Sequence, residues 1–178
     1  EAGIKPILGC EAYVTTSGDY RSRSKEEKRR HLILLAKNLT GYHNLVRLLS
    51  EAWINGFYHT ARIDHTLLEK HHEGLICSAA CIAGEVAHAI DIGRLDEAER
   101  VAKWYKDLFG DDFYLEAMLH KSVKTNIPGV AIDDHRKLYA RQVEVVKGMV
   151  EIGKRLDIPV IATNDVHFLD AADDPSHD

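Results

Sequence analysis

Five side chains of types that bind divalent metal ions stand near the ends of apolar, strand-like segments of this sequence: Glu11, His31, Cys81, Asp165 and His167. Carboxylate oxygen, imidazole nitrogen and thiolate sulfur are the usual protein ligands of such ions. Asp165 and His167 are spaced i and i+2, so on an extended segment both side chains face the same side. A shared metal site is therefore one hypothesis, provided that the fold brings these segments together.

Each of these residues also has an ordinary structural explanation. Glu11 or Asp165 alone is more often a cap or a solvated carboxylate, and His31 alone is more often a hydrogen-bonded residue at a strand edge. Cys81 lies among alanines and could be a small core residue. No zinc-finger spacing decides the matter. The metal hypothesis therefore depends on several candidates standing at strand ends of one domain, in a chain that has 11 histidines.

Composition limits the classes of protein. The chain has 178 residues, 45% of them hydrophobic and 29% charged, which excludes disordered and collagen-like classes and predicts one globular domain. Its apolar runs are far shorter than the roughly 18 residues of a membrane span. Three cysteines in no CxxC arrangement predict a reducing compartment, by default the cytoplasm.

Charge gives a mixed signal for nucleic-acid binding. The net charge of −5 does not support a general electrostatic grip on a phosphate backbone. Residues 21–30 nevertheless include four arginines and two lysines, with two glutamates among them. This segment is either a solvated loop or short helix, or a local phosphate contact, and the sequence leaves both interpretations open.

Hydrophobic periodicity predicts alternating strands and helices. The predicted strands are 6–14, 31–36, 75–79, 113–118 and 159–163. The predicted helices are one capped by Thr40 and continuing to Trp53, a short one capped by Asp64, and those over 84–90, 95–109 and 138–156, with a long loop over 120–134. Strands separated by long helices predict an α/β fold with a largely parallel sheet, whose working site lies where the strands end.

His31 does not fit a plain parallel sheet. It opens its predicted strand, whereas a ligand at the carboxyl ends of parallel strands should follow one. A local hairpin or a crossover around Glu11 and His31 would resolve the conflict, and the sequence does not choose between them.

Five segments, taken in order, closely resemble the PHP (polymerase and histidinol phosphatase) domain of bacterial replicative DNA polymerase III alpha subunits. They are GIKPILGCE at 3–11, HLILLAKN at 31–38 with Gly41-Tyr42 after it, GLICSAACIAGE at 74–85, FYLE at 113–116 and ATNDVH at 162–167. The resemblance covers nearly the whole chain. It is specific to the polymerase branch, because LLAKN followed by Gly-Tyr is not shared by stand-alone PHP phosphatases.

The resemblance implies a fold and a ligand set. The fold is a distorted β/α barrel of about seven strands, mostly parallel with surrounding helices, and residues 1–178 would be a single PHP-domain fragment, truncated at both ends, with its first strands missing. The site would hold up to three divalent ions (zinc, manganese or magnesium) on nine residues. Glu11 would be the bridging carboxylate, His31 and Cys81 further ligands, and Asp165 and His167 the closing, catalytic pair; four other ligands would precede this chain.

The resemblance also implies functions. The parent would be a DNA-directed DNA polymerase whose PHP domain does not itself polymerise but hydrolyses phosphoesters with bound metals, as a 3′-to-5′ proofreading exonuclease. Alternatives are a non-catalytic platform for structure and protein docking, or a stand-alone PHP phosphatase. The implied partners are DNA and other replicase subunits, including a proofreading exonuclease subunit and a sliding clamp. The chain alone is expected to be inactive, because its ligand set is incomplete.

Overall fold

A computed structural model describes residues 3–120, 132–167 and 169, with only the backbone described over 132–136. The strands are β1 (Gly9–Thr15), β2 (Arg29–Ala36), β3 (Arg62–Ile63), β4 (Leu75–Ser78), β5 (Phe113–Met118) and β6 (Val160–Thr163). The helices are α1 (Leu39–Ile54), α2 (His65–His71), α3 (Glu85–Asp91), α4 (Leu95–Phe109) and α5 (Ile132–Leu156). A 3₁₀ turn over Gly110–Asp112 joins α4 to β5.

The six strands form one sheet in the order β3-β1-β2-β4-β5-β6. Strand β2 is antiparallel to both of its neighbours, and the other pairings are parallel, so five strands run in one direction and β2 runs against them. This arrangement confirms the predicted mixed α/β fold with a mostly parallel sheet. We call the edge at which the five parallel strands end the carboxyl edge.

A β-hairpin of β1 and β2 resolves the position of His31. Because β2 is reversed, its first residues lie at the carboxyl edge together with the last residues of the other strands. The register pairs Glu11 with Ile33 and Tyr13 with His31. The hairpin alternative is therefore the correct one.

The hydrophobic core lies on one face of the hairpin. Ala12 and Val14 of β1 and Leu32 and Leu34 of β2 are buried in the same apolar cluster as residues of α1, α3 and α4. Residues on the alternate face, such as Glu11 and His31, remain partly exposed. The strict alternation of the pleat therefore separates the core-facing residues from the candidate ligands.

Several boundaries differ from the sequence predictions. Strand β1 begins at Gly9, so Glu11 lies inside the strand and not after it. The cap of α1 is Asn38 and not Thr40, because the Asn38 side chain accepts the hydrogen bond from the Gly41 backbone N–H at 3.0 Å. The Asp64 cap of α2 is confirmed, with an oxygen 2.8 Å from the Leu67 nitrogen.

Other differences concern the second half of the chain and a missed strand. Strand β3 was not predicted, since two residues carry no periodicity. Helix α5 begins at Ile132, earlier than the predicted start at residue 138. The predicted loop over 120–134 lies mostly outside the described residues. Within the described ranges, no helix has the length and apolar character to cross a lipid bilayer.

Candidate metal centre

Glu11 and His31 meet because of the register of the hairpin. Glu11 faces Ile33 and His31 faces Tyr13, so the two residues are diagonal neighbours on the same face of adjacent strands. The His31 Nδ1 lies 2.5 Å from the Glu11 Oε1. The Tyr13 ring meets the His31 ring edge-on at a centroid distance of 5.1 Å and limits its rotation.

Cys81 reaches the same point from the loop that follows β4. Its Sγ lies 3.6 Å from the His31 Nδ1. The loop is tied to β2 by a hydrogen bond from the His31 backbone N–H to the Ala83 carbonyl, 3.2 Å long. One donor atom from each of Glu11, His31 and Cys81 lies within 4.8 Å of the other two. We call these three residues the metal centre.

Gly84 allows the tight return of this loop. A Cβ at Gly84 would lie 2.0 Å from the backbone oxygen of Ala79, well inside van der Waals contact. The Gly84 backbone N–H donates to the Cys81 carbonyl at 2.9 Å and closes the turn before α3. The absence of a side chain at this position therefore keeps Cys81 near β2.

Glu116 supports the same loop from β5, and the sequence analysis assigned it no role. Its carboxylate is buried and accepts hydrogen bonds from the Ser78 hydroxyl and from the Ala80 backbone N–H, the latter at 3.0 Å. Ala80 has a φ of +58°, in the left-handed region that an L-residue seldom adopts. Glu116 thus fixes the unusual backbone conformation that immediately precedes Cys81.

The three cysteines have different environments. Burial raises the pKa of the Cys81 thiol, and the neighbouring carboxylates Asp165 and Glu11 raise it further. Cys77 is fully buried in β4, which raises the pKa of its thiol well above the usual value. Cys10 donates to the Glu11 carbonyl at 3.1 Å. Of the three, only Cys81 shares a cluster with an imidazole and a carboxylate among the described residues.

This donor set fits a divalent cation. A carboxylate oxygen, an imidazole nitrogen and a thiol sulfur are together typical of zinc and of other borderline-soft ions. A cation bound there would offset the negative charge of the nearby carboxylates and favour the thiolate form of Cys81. Glu11, His31 and Cys81 are the residues that could hold it.

Asp165 and His167 lie beyond the end of β6, outside the cluster of three. Asp165 has a φ of +45°, so the extended segment assumed in the sequence analysis is wrong at this residue. The His167 Nδ1 is 2.8 Å from the Asp165 carbonyl oxygen and 3.8 Å from its Oδ1. Asp165 is close enough to Cys81 to raise the pKa of that thiol. The role of these two residues as ligands stays a prediction.

His120 holds the segment that carries Asp165, and no sequence motif indicated this. Its Nε2 lies 2.8 Å from the Asn164 carbonyl oxygen, and its Nδ1 lies 3.0 Å from the Gln142 side-chain nitrogen. The His120 backbone N–H also donates to the Gln142 Oε1 at 2.8 Å. The end of β5 and helix α5 therefore position the backbone just before Asp165.

A family profile and several sequence relatives match this chain. The profile of the PHP domain matches residues 1–120. DNA polymerase III subunit alpha of Chlamydia trachomatis is 41% identical over 98% of this chain, and that of Treponema pallidum is 39% identical over 99%. The subunit from Aquifex aeolicus is 38% identical over 98% of the chain. The chain spans only 15%, 14% and 14% of the lengths of these three relatives.

Proposed function

The chain belongs to the PHP domain family, and on that premise we propose that Glu11, His31 and Cys81 hold a divalent metal ion that serves phosphoester hydrolysis. The observation that carries the proposal is the convergence of the three donor atoms, all within 4.8 Å of one another. The three residues come from two strands and a loop, so the fold and not local sequence brings them together. Convergence of three different donor types favours a built site over three unrelated structural roles.

The residues have distinct tasks in this proposal. When bound, the metal supplies polarisation of a phosphoryl oxygen and activation of water. Glu11 and the Cys81 thiolate provide negative charge to hold the ion, and His31 presents Nδ1 from a ring whose rotation Tyr13 limits. Asp165 and His167 are the candidates for moving a proton at the reacting phosphate. His120 keeps their segment in place through its contact with the Asn164 carbonyl.

We also propose that residues 1–178 form one PHP-domain fragment of a DNA polymerase III alpha subunit. The high identity with such subunits over nearly the whole chain supports this assignment. Strand β6 lies beyond the matched residues but extends the same sheet by pairing with β5, which supports one domain. The proposed activity of the whole protein is DNA-directed DNA synthesis in the cytoplasm, with a proofreading exonuclease subunit and a sliding clamp as partners. Zinc, manganese and magnesium are the candidate ions, up to three in the complete domain.

A structural role for the metal is the second candidate. Three of the five predicted ligands share the cluster, while Asp165 and His167 lie outside it. Three ligands suffice to hold an ion that links the hairpin to the loop after β4, and such binding stabilises the folded state without any chemistry. In that case the domain would serve as a platform for the polymerase and its partners.

The test uses the full-length protein that contains this chain. Metal content is measured by mass spectrometry, and hydrolysis is measured on single-stranded DNA labelled at its 3′ end, with zinc or manganese added. We expect Cys81→Ala to lose bound metal and hydrolysis together. Cys77→Ala is the matched control, since that thiol is buried in the core, and it should keep both. Equal loss of metal in the two variants would contradict the assignment of Cys81.

Asp165→Asn separates the two candidate functions. Hydrolysis that disappears while the metal content is kept supports the catalytic proposal. Metal that raises the unfolding temperature of a wild-type protein without hydrolytic activity supports the structural role instead. The 178-residue chain by itself is expected to show neither polymerase nor efficient exonuclease activity. Hydrolysis by the short chain equal to that of the full-length protein would contradict the predicted need for further ligands.

A further inference from the structure

A basic cleft lies at the carboxyl edge on the opposite side of β2 from the metal centre. Lys28 directly precedes β2 and Arg30 lies within it, while Arg94 is the N-terminal cap of α4 and Arg100 lies within that helix. Arg30 precedes His31 in β2, so the pleat directs these neighbours to opposite faces of the sheet. The cleft and the metal centre are therefore separate sites on one strand.

Most of the positive charge in the cleft has no acidic partner. Arg94 pairs with Glu97 at 3.2 Å. Within the described part of the chain, the side chains of Lys28, Arg30 and Arg100 make neither an ion pair nor a hydrogen bond. The other acidic lining residue, Glu85, already accepts hydrogen bonds from the Tyr105 hydroxyl and lies 2.9 Å from the His65 Nε2. Three cations thus line one cleft without a direct acidic partner among the described residues.

Burial adds to the cost of this arrangement. Arg30 is only partly exposed, so water screens its charge incompletely. His88 lines the same cleft, and burial together with Arg30 and Lys28 lowers the pKa of its imidazole. A partly buried positive charge with no direct acidic partner, as at Arg30, is unfavourable unless an anion binds it.

We propose that this cleft binds a phosphate group, through Arg30 and Arg100 with Lys28 beside them. The guanidinium is a rigid fork of N–H donors that matches the oxygens of a phosphate, and lysine adds a point charge. A phosphate of a nucleic-acid strand and a phosphate of a nucleotide or polyphosphate offer the same chemistry. The proposal does not depend on the metal centre, which lies on the other face of β2.

Titration calorimetry with inorganic tripolyphosphate tests the site directly, in the presence of EDTA so that metal binding contributes nothing. Charge-assisted hydrogen bonds are strong enough that loss of either arginine should weaken binding about tenfold. Arg100→Gln is an exposed substitution on α4 that should not disturb folding. Arg30→Lys keeps the charge of a partly buried group and removes the fork, so it tests the geometry if Arg30→Gln does not fold.

Arg47→Gln is the matched control. Arg47 is an exposed arginine of α1 near the start of β4, where it contacts Asn44, and its replacement removes the same charge far from the cleft. This control should bind tripolyphosphate as the wild-type protein does. Equal weakening by Arg47→Gln and Arg100→Gln would mean that only the overall charge matters, and it would overturn the proposal. Wild-type affinity weaker than about 1 mM would overturn it as well.

A second arm identifies the source of the phosphate. Competition by a single-stranded oligonucleotide, with a salt dependence that falls by about one counterion in Arg100→Gln, supports a nucleic-acid strand. Displacement by a nucleoside triphosphate and not by the oligonucleotide supports a nucleotide. Tripolyphosphate binding that neither ligand displaces would place the anion elsewhere on the protein and contradict the proposal.

Discussion

Replacing Glu116 by alanine should weaken metal binding at Cys81 even though Glu116 is not a proposed ligand. The Glu116 carboxylate accepts hydrogen bonds from Ser78 and Ala80, both in or next to the turn that leads to Cys81. The left-handed conformation costs an L-residue about 1 kcal/mol of conformational free energy. Without the Glu116 acceptor, nothing offsets this cost at Ala80. The loop should relax, and the Cys81 sulfur should move away from His31.

The magnitude follows from the burial of the two donors. Glu116 is 6% exposed, so water does not replace it readily. A buried donor left without an acceptor costs about 1 to 3 kcal/mol, so the two donors together predict a loss of about 2 to 6 kcal/mol of unfolding free energy for Glu116→Ala. Glu116→Gln keeps an acceptor oxygen and loses the charge, and should cost about 1 to 2 kcal/mol.

Urea unfolding followed by circular dichroism measures the stability change, and competition with a chelator measures zinc affinity. Glu144→Ala is the matched control, because Glu144 is an exposed residue of α5 whose ion pair with Lys147 contributes little. We expect zinc affinity to fall in the order wild type, Glu116→Gln, Glu116→Ala. If Glu116→Ala stays within 0.5 kcal/mol of the control, a threshold typical of surface substitutions, and binds zinc normally, the proposed support of the loop is wrong.

Three further predictions concern single positions. Gly84→Ala should destabilise the protein by about 1 to 3 kcal/mol and reduce zinc affinity, because its methyl group would lie 2.0 Å from the Ala79 backbone oxygen; unchanged values in urea and chelator titrations would contradict this. Arg141→Gln should cost about 1 kcal/mol near pH 7, since its guanidinium makes two hydrogen bonds to Asp91 and lowers the pKa of that carboxyl. Because the pKa of Asp91 is lowered in the folded state, its ion pair stabilises the fold at pH values above the ordinary carboxyl pKa of 3.8. This stabilisation is lost as the pH falls through the folded-state pKa, so the stabilities of wild type and variant should converge in acid unfolding curves. Ala80→Gly should keep the free energy of unfolding in urea within about 0.5 kcal/mol of wild type, because glycine adopts the positive φ without strain and this gain offsets the greater freedom of the unfolded chain. Ala140→Gly, on the exposed face of α5, is the control and should lose about 1 kcal/mol.

Most of the fold could be predicted from the sequence, because the signals for strands, helices and caps are local. Alternation and helical periodicity predict the long elements, and the Asp64 cap needs only its own neighbours. The two-residue strand β3 has too few positions for a pattern, so it was missed. The Asn38 cap was misplaced at Thr40 because both are good cap residues, and the hydrogen bond from the Gly41 backbone N–H to the Asn38 side chain is visible only in the structure.

The site was less accessible to sequence reasoning. Glu11, His31 and Cys81 were candidates because of their chemistry, but the reversal of β2 that unites them depends on strand pairing. Glu116 looks like any strand carboxylate in the sequence, since its partners Ser78 and Ala80 are far away along the chain. A residue that acts by holding another segment leaves no spacing signature, which is why His120 was also overlooked.

The residues of the metal centre come together during folding by two different routes, one local and one long-range. Glu11 and His31 meet through pairing of adjacent strands, while Cys81 must come from 50 positions beyond His31 and close a larger loop, at an entropic cost that grows with loop length. A bound cation would link the local pair Glu11 and His31 to the distant residue Cys81. Such a link forms late in folding, so it should slow unfolding more than it speeds folding. We therefore expect metal to lengthen the lifetime of the folded state and to change the folding rate little.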